Sequence, residues 1–354
     1  MSDMKKSRDL SLDLLRIMAC LMVVLVHTSV EGWYNVSPRT YNWIILNIYD
    51  TIGRPSIPLF LMISGSLFLR KERIVLKQLW LKNILRIFVI NAVWTFFYAV
   101  MNQGIHKTLA DPLLIWQQLS GPNPQYHLWY LRTCLNLYAL VPVFWHLVRA
   151  LDRKTVRYFF LLFFIFGILF HTVDDLPFLP RWIHDQMTLF VDMDLVGHAA
   201  YFLLGYYLTE EGMERRFSRR TLLLTYIVTL VLAAGLNQLI AMAGDWPTQA
   251  LYGNFALPVA VEAVCLFLLF RSLFADRHPL SPKTAVFISR ASESTLFVYL
   301  IHPFVLQRLQ IHFHLYTTNY NVLFSVPLLA LFVFAFASCC GMVLKRIPVV
   351  RYIV

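Results

Sequence analysis

LLRIMACLMVVLVHTS, residues 14–29, is an almost wholly apolar run interrupted by Arg16 near one end and His27 near the other. A central arginine in a spanning helix costs roughly 2.5 to 3.5 kcal/mol on insertion scales, so ionisable side chains there usually face a protein interior or a water-filled cavity. The eleven steps from Arg16 to His27, at about 100° each, return to within about 20° of the starting direction and cover roughly 16 Å of rise. One face of the helix therefore offers a cation at one depth and an imidazole at another. Asp13 is spaced to pair with Arg16, and Glu31 to orient His27 if the helix runs that far. The plainer alternative is that Arg16 snorkels to the cytoplasmic interface while His27 sits among the outer headgroups.

The rest of the chain extends the membrane reading. Hydrophobic residues make up 58% of the 354, charged residues 14%, and the mean hydropathy is +0.59, values that a polar-surfaced soluble domain does not reach. Apolar stretches long enough to cross a bilayer recur from end to end. They predict an all-α polytopic membrane protein of about ten transmembrane helices, near 10–30, 42–69, 80–103, 128–148, 156–172, 188–208, 221–243, 252–274, 285–311 and 321–344.

The net charge of +11 then has a topological explanation. With the N-terminus inside, the basic groups Lys5 to Arg8, Arg70 to Lys82, Arg149 to Arg157, Arg215 to Arg220, Arg277 to Arg290 and Lys345 to Arg351 all fall on the cytoplasmic side. The opposite loops hold Arg39, Lys107, Arg181 and little else of that sign. This is the positive-inside asymmetry; it predicts that both termini are cytoplasmic and needs no nucleic-acid partner. No small-residue cleavage site follows the first apolar segment, which is expected to be retained. The five cysteines fall within expected helices as packing residues, and the chain, 1–354, is expected to be a single domain. No metal-ligand spacing, P-loop, GxGxxG or GxSxG pattern is present, so no metal site and no permanently bound cofactor is expected.

Further polar residues interrupt the apolar background. PLFLMISGSLFLRKER, residues 58–73, opens on Pro58, which with Pro55 just before it implies a kink, and carries Ser64 and Gly65, small residues that permit close helix approach. Arg70 and Arg73, one helical turn apart if the helix continues, are either topology determinants or a pair that clamps phosphate groups. YHLWYL, residues 126–131, places His127 and Trp129 at the outer entrance of the fourth helix, where an aromatic belt also accounts for the tryptophan. His198, Glu262 and His302 lie deep in their segments. Each alone is a helix-packing hydrogen-bond partner; together they imply a polar interior.

Taken in order, Asp13-Leu14-Leu15-Arg16 with His27, PLFLMISG, the Arg70 and Arg73 pair, HLWYL, GHAAYFLLGYYL at 197–208 and TLFVYLIHPF near the end resemble the inner-membrane acyltransferase family 3. The look is that of its stand-alone type, which O-acetylates surface polysaccharide such as enterobacterial common antigen. Ser66 departs from the aromatic usual after Ser-Gly. The resemblance implies a multi-pass enzyme of the bacterial inner membrane, with acetyl-CoA as co-substrate and a lipid-linked or surface glycan as acceptor. It implies that Arg70 and Arg73 hold the CoA phosphates, that Arg16 contacts the donor or lines its path, and that His27 is the general base or an acetyl-accepting nucleophile. Ser64, His127, Trp129, His302 and Glu262 are then expected to contact donor or acceptor. Besides the bilayer, further copies of the chain in a homo-oligomer are an open partner. The competing class is a multi-pass transporter or exporter, in which the same intramembrane residues would form a substrate or proton pathway.

Overall fold

Segments this apolar must satisfy their backbone hydrogen bonds internally, and in the computed structural model they do so as helices. The structure describes residues 8–110, 113, 125–185, 194–275, 280–348 and 350–353. In chain order the main helices are α1 (Leu10–Ser29), α2 (Tyr41–Gly53), α3 (Ser56–Leu69), α4 (Leu85–Gln103), α5 (Trp129–Ala150), α6 (Arg153–Leu162), α7 (Asp194–Glu210), α8 (Arg219–Gly244), α9 (Leu257–Ala275), α10 (Pro282–Phe313) and α11 (Val322–Leu344). Among the described residues there is no strand, and eight helical segments are long and apolar enough to cross a membrane. The other two expected spans are α7, 17 residues long, and α10, which carries charged and polar residues along its length. Residues 188–193, expected at the start of the sixth span, lie outside the described residues, as do Lys5, Lys6 and Arg277.

The helices fall into two compact units, residues 1–66 with 157–342, and residues 67–156 with 343–354. In the first, α1 packs against α10, α2 and α9, and α8 packs against α9 and α2. Cys20 and Val24 of α1 bury themselves among Val298, Val305 and Leu306 of α10 and Ala330, Val333 and Ala337 of α11. Asp9 starts α1, its side chain accepting from the amides of Ser11 and Leu12 at 3.1 and 3.4 Å, while Arg271 donates to its other oxygen at 3.2 Å. Burial opposes ionisation of Asp9, but the Ser11 hydroxyl, Arg271 and the Leu12 amide together hold its carboxyl below the usual range.

Where α3 crosses α7, backbones meet almost directly. A Cβ on Gly65 would overlap the carbonyl of Phe202, and one on Gly205 the backbone of Met62. Beside this crossing Ser66 and Thr209 share a hydrogen bond of 3.1 Å, and the Thr209 hydroxyl donates to the Gly205 carbonyl at 2.8 Å. A buried serine that fits between helices in this way accounts for the absence of the aromatic expected at that position.

In the second unit α4 packs on α5, and the Trp94 indole donates to the carbonyl of Ile353 at 3.1 Å. The turn after α3 is fixed from α5: Trp145 Nε1 donates to the Lys71 carbonyl at 2.8 Å, and Arg149 Nη2 to the carbonyls of Leu69 and Lys71 at 3.2 and 3.0 Å.

The second expected span is present as Tyr41–Leu69, with its expected kink formed as a break into two helices at Arg54 and Pro55, where proline removes an amide donor. Two other expectations about local structure change. Arg70 and Arg73 are not one helical turn apart: α3 stops at Leu69, and both lie exposed in the connection to the next helix. The eighth span starts at Leu257, not near 252, since Gly253 and Asn254 favour a turn and Pro258 is tolerated only in the first helical turn. Tyr252 consequently lies on a connection and is almost wholly buried.

Candidate active site

His27 lies in the last turn of α1, half-buried, with its ring stacked on that of His302 from α10 at 5.0 Å between centroids. The neighbouring sequence fixes His302. Pro303 brings no amide hydrogen to the carbonyl four residues back, Tyr299, and His302 Nδ1–H donates to that oxygen at 2.8 Å, with the Val298 carbonyl at 3.2 Å. The proton on Nδ1 leaves Nε2 as the lone-pair nitrogen of the neutral ring. His302 is fully buried, so it acts on the surface of His27 that faces the protein, whereas His27 keeps an accessible side.

About three turns toward the other end of α1, Arg16 Nη1 donates to Ser292 Oγ of α10 at 3.5 Å and lies 3.9 Å from Asp13. Asp13 is held more closely by others: Arg8 donates to it from Nε at 2.5 Å and from Nη2 at 3.2 Å, and Ser292 Oγ at 2.7 Å. Asp13 is thus committed to Arg8 and Ser292, and the Arg16 side chain, 28% exposed, keeps its guanidinium largely available. Glu31 follows in a 3₁₀ turn after α1, facing the side chain of Gln310 and the backbone of Thr317.

The polar interior expected from scattered residues is present in this unit, with members the sequence reading did not single out. Asn237 Nδ2 donates to Asn47 Oδ1 at 2.9 Å, Tyr252 OH donates to the same oxygen, and the Tyr252 and Thr51 hydroxyls lie 2.6 Å apart. Asp50, fully buried, accepts at Oδ2 from Arg54 Nε and Nη2 at 3.1 and 2.5 Å. The Arg54 guanidinium lies over the Tyr252 ring, 5.2 Å from its centroid, and its charge reaches His27. Two opposite charges four residues apart inside an apolar segment were the available signal for this pair. Glu262 of α9 is fully buried, and its carboxylate oxygens make no hydrogen bond among the described residues; Tyr226, Tyr252 and Cys265 are its electrostatic neighbours. Ser64 is half-buried on α3, one residue before the Gly65 crossing.

The second unit holds the remaining candidates. His127 is buried in a 3₁₀ turn ahead of α5, edge-on to Tyr98 at 5.4 Å and to Tyr126 at 5.8 Å. Trp129 opens α5, half-buried and edge-on to Tyr130 at 6.1 Å. Arg70 and Arg73 flank the turn that Trp145 and Arg149 hold from α5. Cationic groups on a fixed connection suit charge-assisted bonds to phosphate.

An accessible imidazole supported by a second, tautomer-fixed imidazole inside a membrane helix bundle can take and return a proton, or accept an acyl group, away from bulk water. None of the curated proteins or solved structures compared with the chain matches it. Residues 9–346 match the acyltransferase domain of acyltransferase family 3, and this multi-pass membrane protein belongs to that family.

Proposed function

We propose that the protein is an O-acetyltransferase of the bacterial inner membrane that moves an acetyl group from cytosolic acetyl-CoA to a hydroxyl of a lipid-linked or surface glycan. The observation that carries the reading is the half-buried His27, stacked on His302 within a membrane helix of a family 3 acyltransferase. In this reading the span 1–354 works as one acyltransferase domain with about ten transmembrane helices and both termini cytoplasmic, as the distribution of basic loops supports. In motif order the chain resembles the surface-polysaccharide acetyltransferases of the type that modifies enterobacterial common antigen.

His27 removes the proton of the acceptor hydroxyl as its oxygen attacks the thioester carbonyl, the C–S bond breaks, and the imidazolium returns a proton to the CoA thiolate. In the two-step variant a His27 nitrogen attacks the thioester carbonyl, the C–S bond breaks and CoA leaves as the thiol with the imidazole N–H proton; the acceptor hydroxyl then attacks the N-acetylimidazole, and its proton returns to the ring as the N–C bond breaks. Arg70 and Arg73 bind CoA phosphates on the cytosolic side, and Arg16 contacts the donor or lines its path. Ser64, His127, Trp129, His302 and Glu262 contribute to the polar environment of donor and acceptor. No resident metal or cofactor takes part.

Incubating the purified protein in detergent with acetyl-CoA radiolabelled in the acetyl group tests the reading against a transporter. The enzyme is expected to consume the thioester by transfer or slow hydrolysis, and to do so only with His27 in place. Binding of acetyl-CoA with the thioester fully intact after prolonged incubation with membrane glycolipid would contradict it.

A further inference from the structure

We propose that Arg54 is the hydrogen-bond donor that receives the carbonyl oxygen of the acyl group as charge develops on it during transfer at His27, and that Asp50 positions Arg54 for this role. The inference rests on the acetyl-transfer reading above.

The helix geometry brings the two residues together. α1 and α2 approach each other at Gly53, where an added Cβ would overlap Val26 Cγ2 and lie 2.8 Å from the Met22 carbonyl. His27 and Arg54 are the next residues along their chains from this contact, and the Arg54 charge acts on the His27 ring. Arg54 stands where α2 ends and the chain turns, so its side chain is not confined to a continuous helix surface.

The guanidinium is also held in a way that leaves donors over. Nε and one Nη2 hydrogen are taken by a single oxygen of Asp50, and Nη1 makes a long contact of 3.5 Å with the Tyr252 carbonyl. Of the five N–H groups, one on each terminal nitrogen remains among the described residues. The Arg54 side chain is 19% exposed and that of Asp50 0%, so the anion is sealed in while the cation is partly exposed. Tyr252 supports the guanidinium from beneath, and Tyr252 is itself fixed by Asn47 and Thr51. A donor pre-aimed in this way costs no reorganisation when the oxyanion forms.

A purely structural ion pair accounts for the contact between Asp50 and Arg54, but such pairs are often replaceable by uncharged residues without loss of stability. It does not account for the N–H groups left over on a cation that follows the contact of α1 with α2 and whose charge acts on the ring of the proposed base. Attack on the thioester, whether by the acceptor oxygen or by the His27 nitrogen, converts the carbonyl to a tetrahedral oxyanion. The negative charge collapses back to a carbonyl as the C–S bond breaks and the CoA thiolate leaves with the proton. Both routes need a donor at the same oxygen.

The test uses the double variant Asp50→Asn/Arg54→Gln, which removes both charges at once and leaves neither buried unpaired. Purified in detergent, it is expected to elute and unfold like the wild type and to bind acetyl-CoA with KM within about threefold, while kcat falls by roughly 10² to 10³. Arg54→Lys keeps the ion pair but loses the planar fork, and kcat is expected to fall by at least about tenfold. This single variant decides the matter if the double variant fails to fold. Wild-type kcat in a folded double variant, or in Arg54→Lys, would overturn the role of Arg54. With transfer present in the wild type and lost in His27→Ala, that result would leave the acetyl-transfer reading standing. No transfer by the wild type would overturn both.

Discussion

Pro303 determines which nitrogen of His302 carries its proton, because the carbonyl it leaves without an amide partner becomes the acceptor of His302 Nδ1–H. The His27 ring then stacks against an imidazole of defined tautomer, which keeps the proposed base in one orientation. At the other end of the reaction, Arg70→Ala/Arg73→Ala is expected to raise KM for acetyl-CoA by about tenfold or more with kcat largely kept, since phosphate binding is uniform between ground and transition states. Lysine at both positions should restore only part of that affinity, because an ammonium lacks the paired geometry of the guanidinium. Initial-rate kinetics on the purified variants measure both, and an unchanged KM would return the pair to a topological role. Arg16, His27 and His302 were legible in the sequence because each is an ionisable residue in an otherwise apolar run, which needs a reason. Asp50 and Arg54 carry the same signal, but beside Pro55 the segment reads as a kink, and only the fold shows the two charges paired. Spacing alone does not show that a helix ends, which is why the helical pairing of Arg70 with Arg73 did not hold.

The helices are positioned by small residues at a few crossings. Gly65→Ala is expected to force α3 away from the Phe202 carbonyl; overpacking costs about 1 to 3 kcal/mol, toward the upper end where the obstacle is backbone. Thermal unfolding in detergent should show a clear fall in Tm, larger than for Gly235→Ala, where an added Cβ meets open space. Equal midpoints for the two variants would contradict the packing described at the crossing of α3 and α7. That Ser64 and Gly65 mark a close approach could be read from the sequence. Their partner could not, because Gly205 lies about 140 residues downstream and a single sequence carries no pairing information between distant helices. The buried hydrogen bond between Ser66 and Thr209 was equally hidden, although the departure of Ser66 from the family pattern pointed to the position.

For the whole molecule, membrane topology and vectorial chemistry are one question. Arg215 and Arg216 precede α8 and Arg219 and Arg220 lie in its first turn, and the proposed orientation places all four on the cytoplasmic side with both termini. Single cysteines introduced there into a cysteine-free background should react with a membrane-impermeant maleimide only after permeabilisation; labelling of intact cells would reverse the orientation. The membrane class and helical architecture were readable from composition and run length alone, whereas the division into two compact units has no counterpart in the hydropathy pattern. The most direct measurement of the central claim is acetyl transfer in everted inner-membrane vesicles supplied with radiolabelled acetyl-CoA, comparing wild type with His27→Gln, both quantified as inserted protein. Glutamine keeps a polar group but cannot take the proton, so loss of general-base catalysis, typically 10² to 10⁴ in rate, is expected to leave the glycan fraction essentially unlabelled while the wild type labels it. Comparable labelling of glycan by the two proteins would contradict the assignment of His27 as the group through which the acetyl transfer runs.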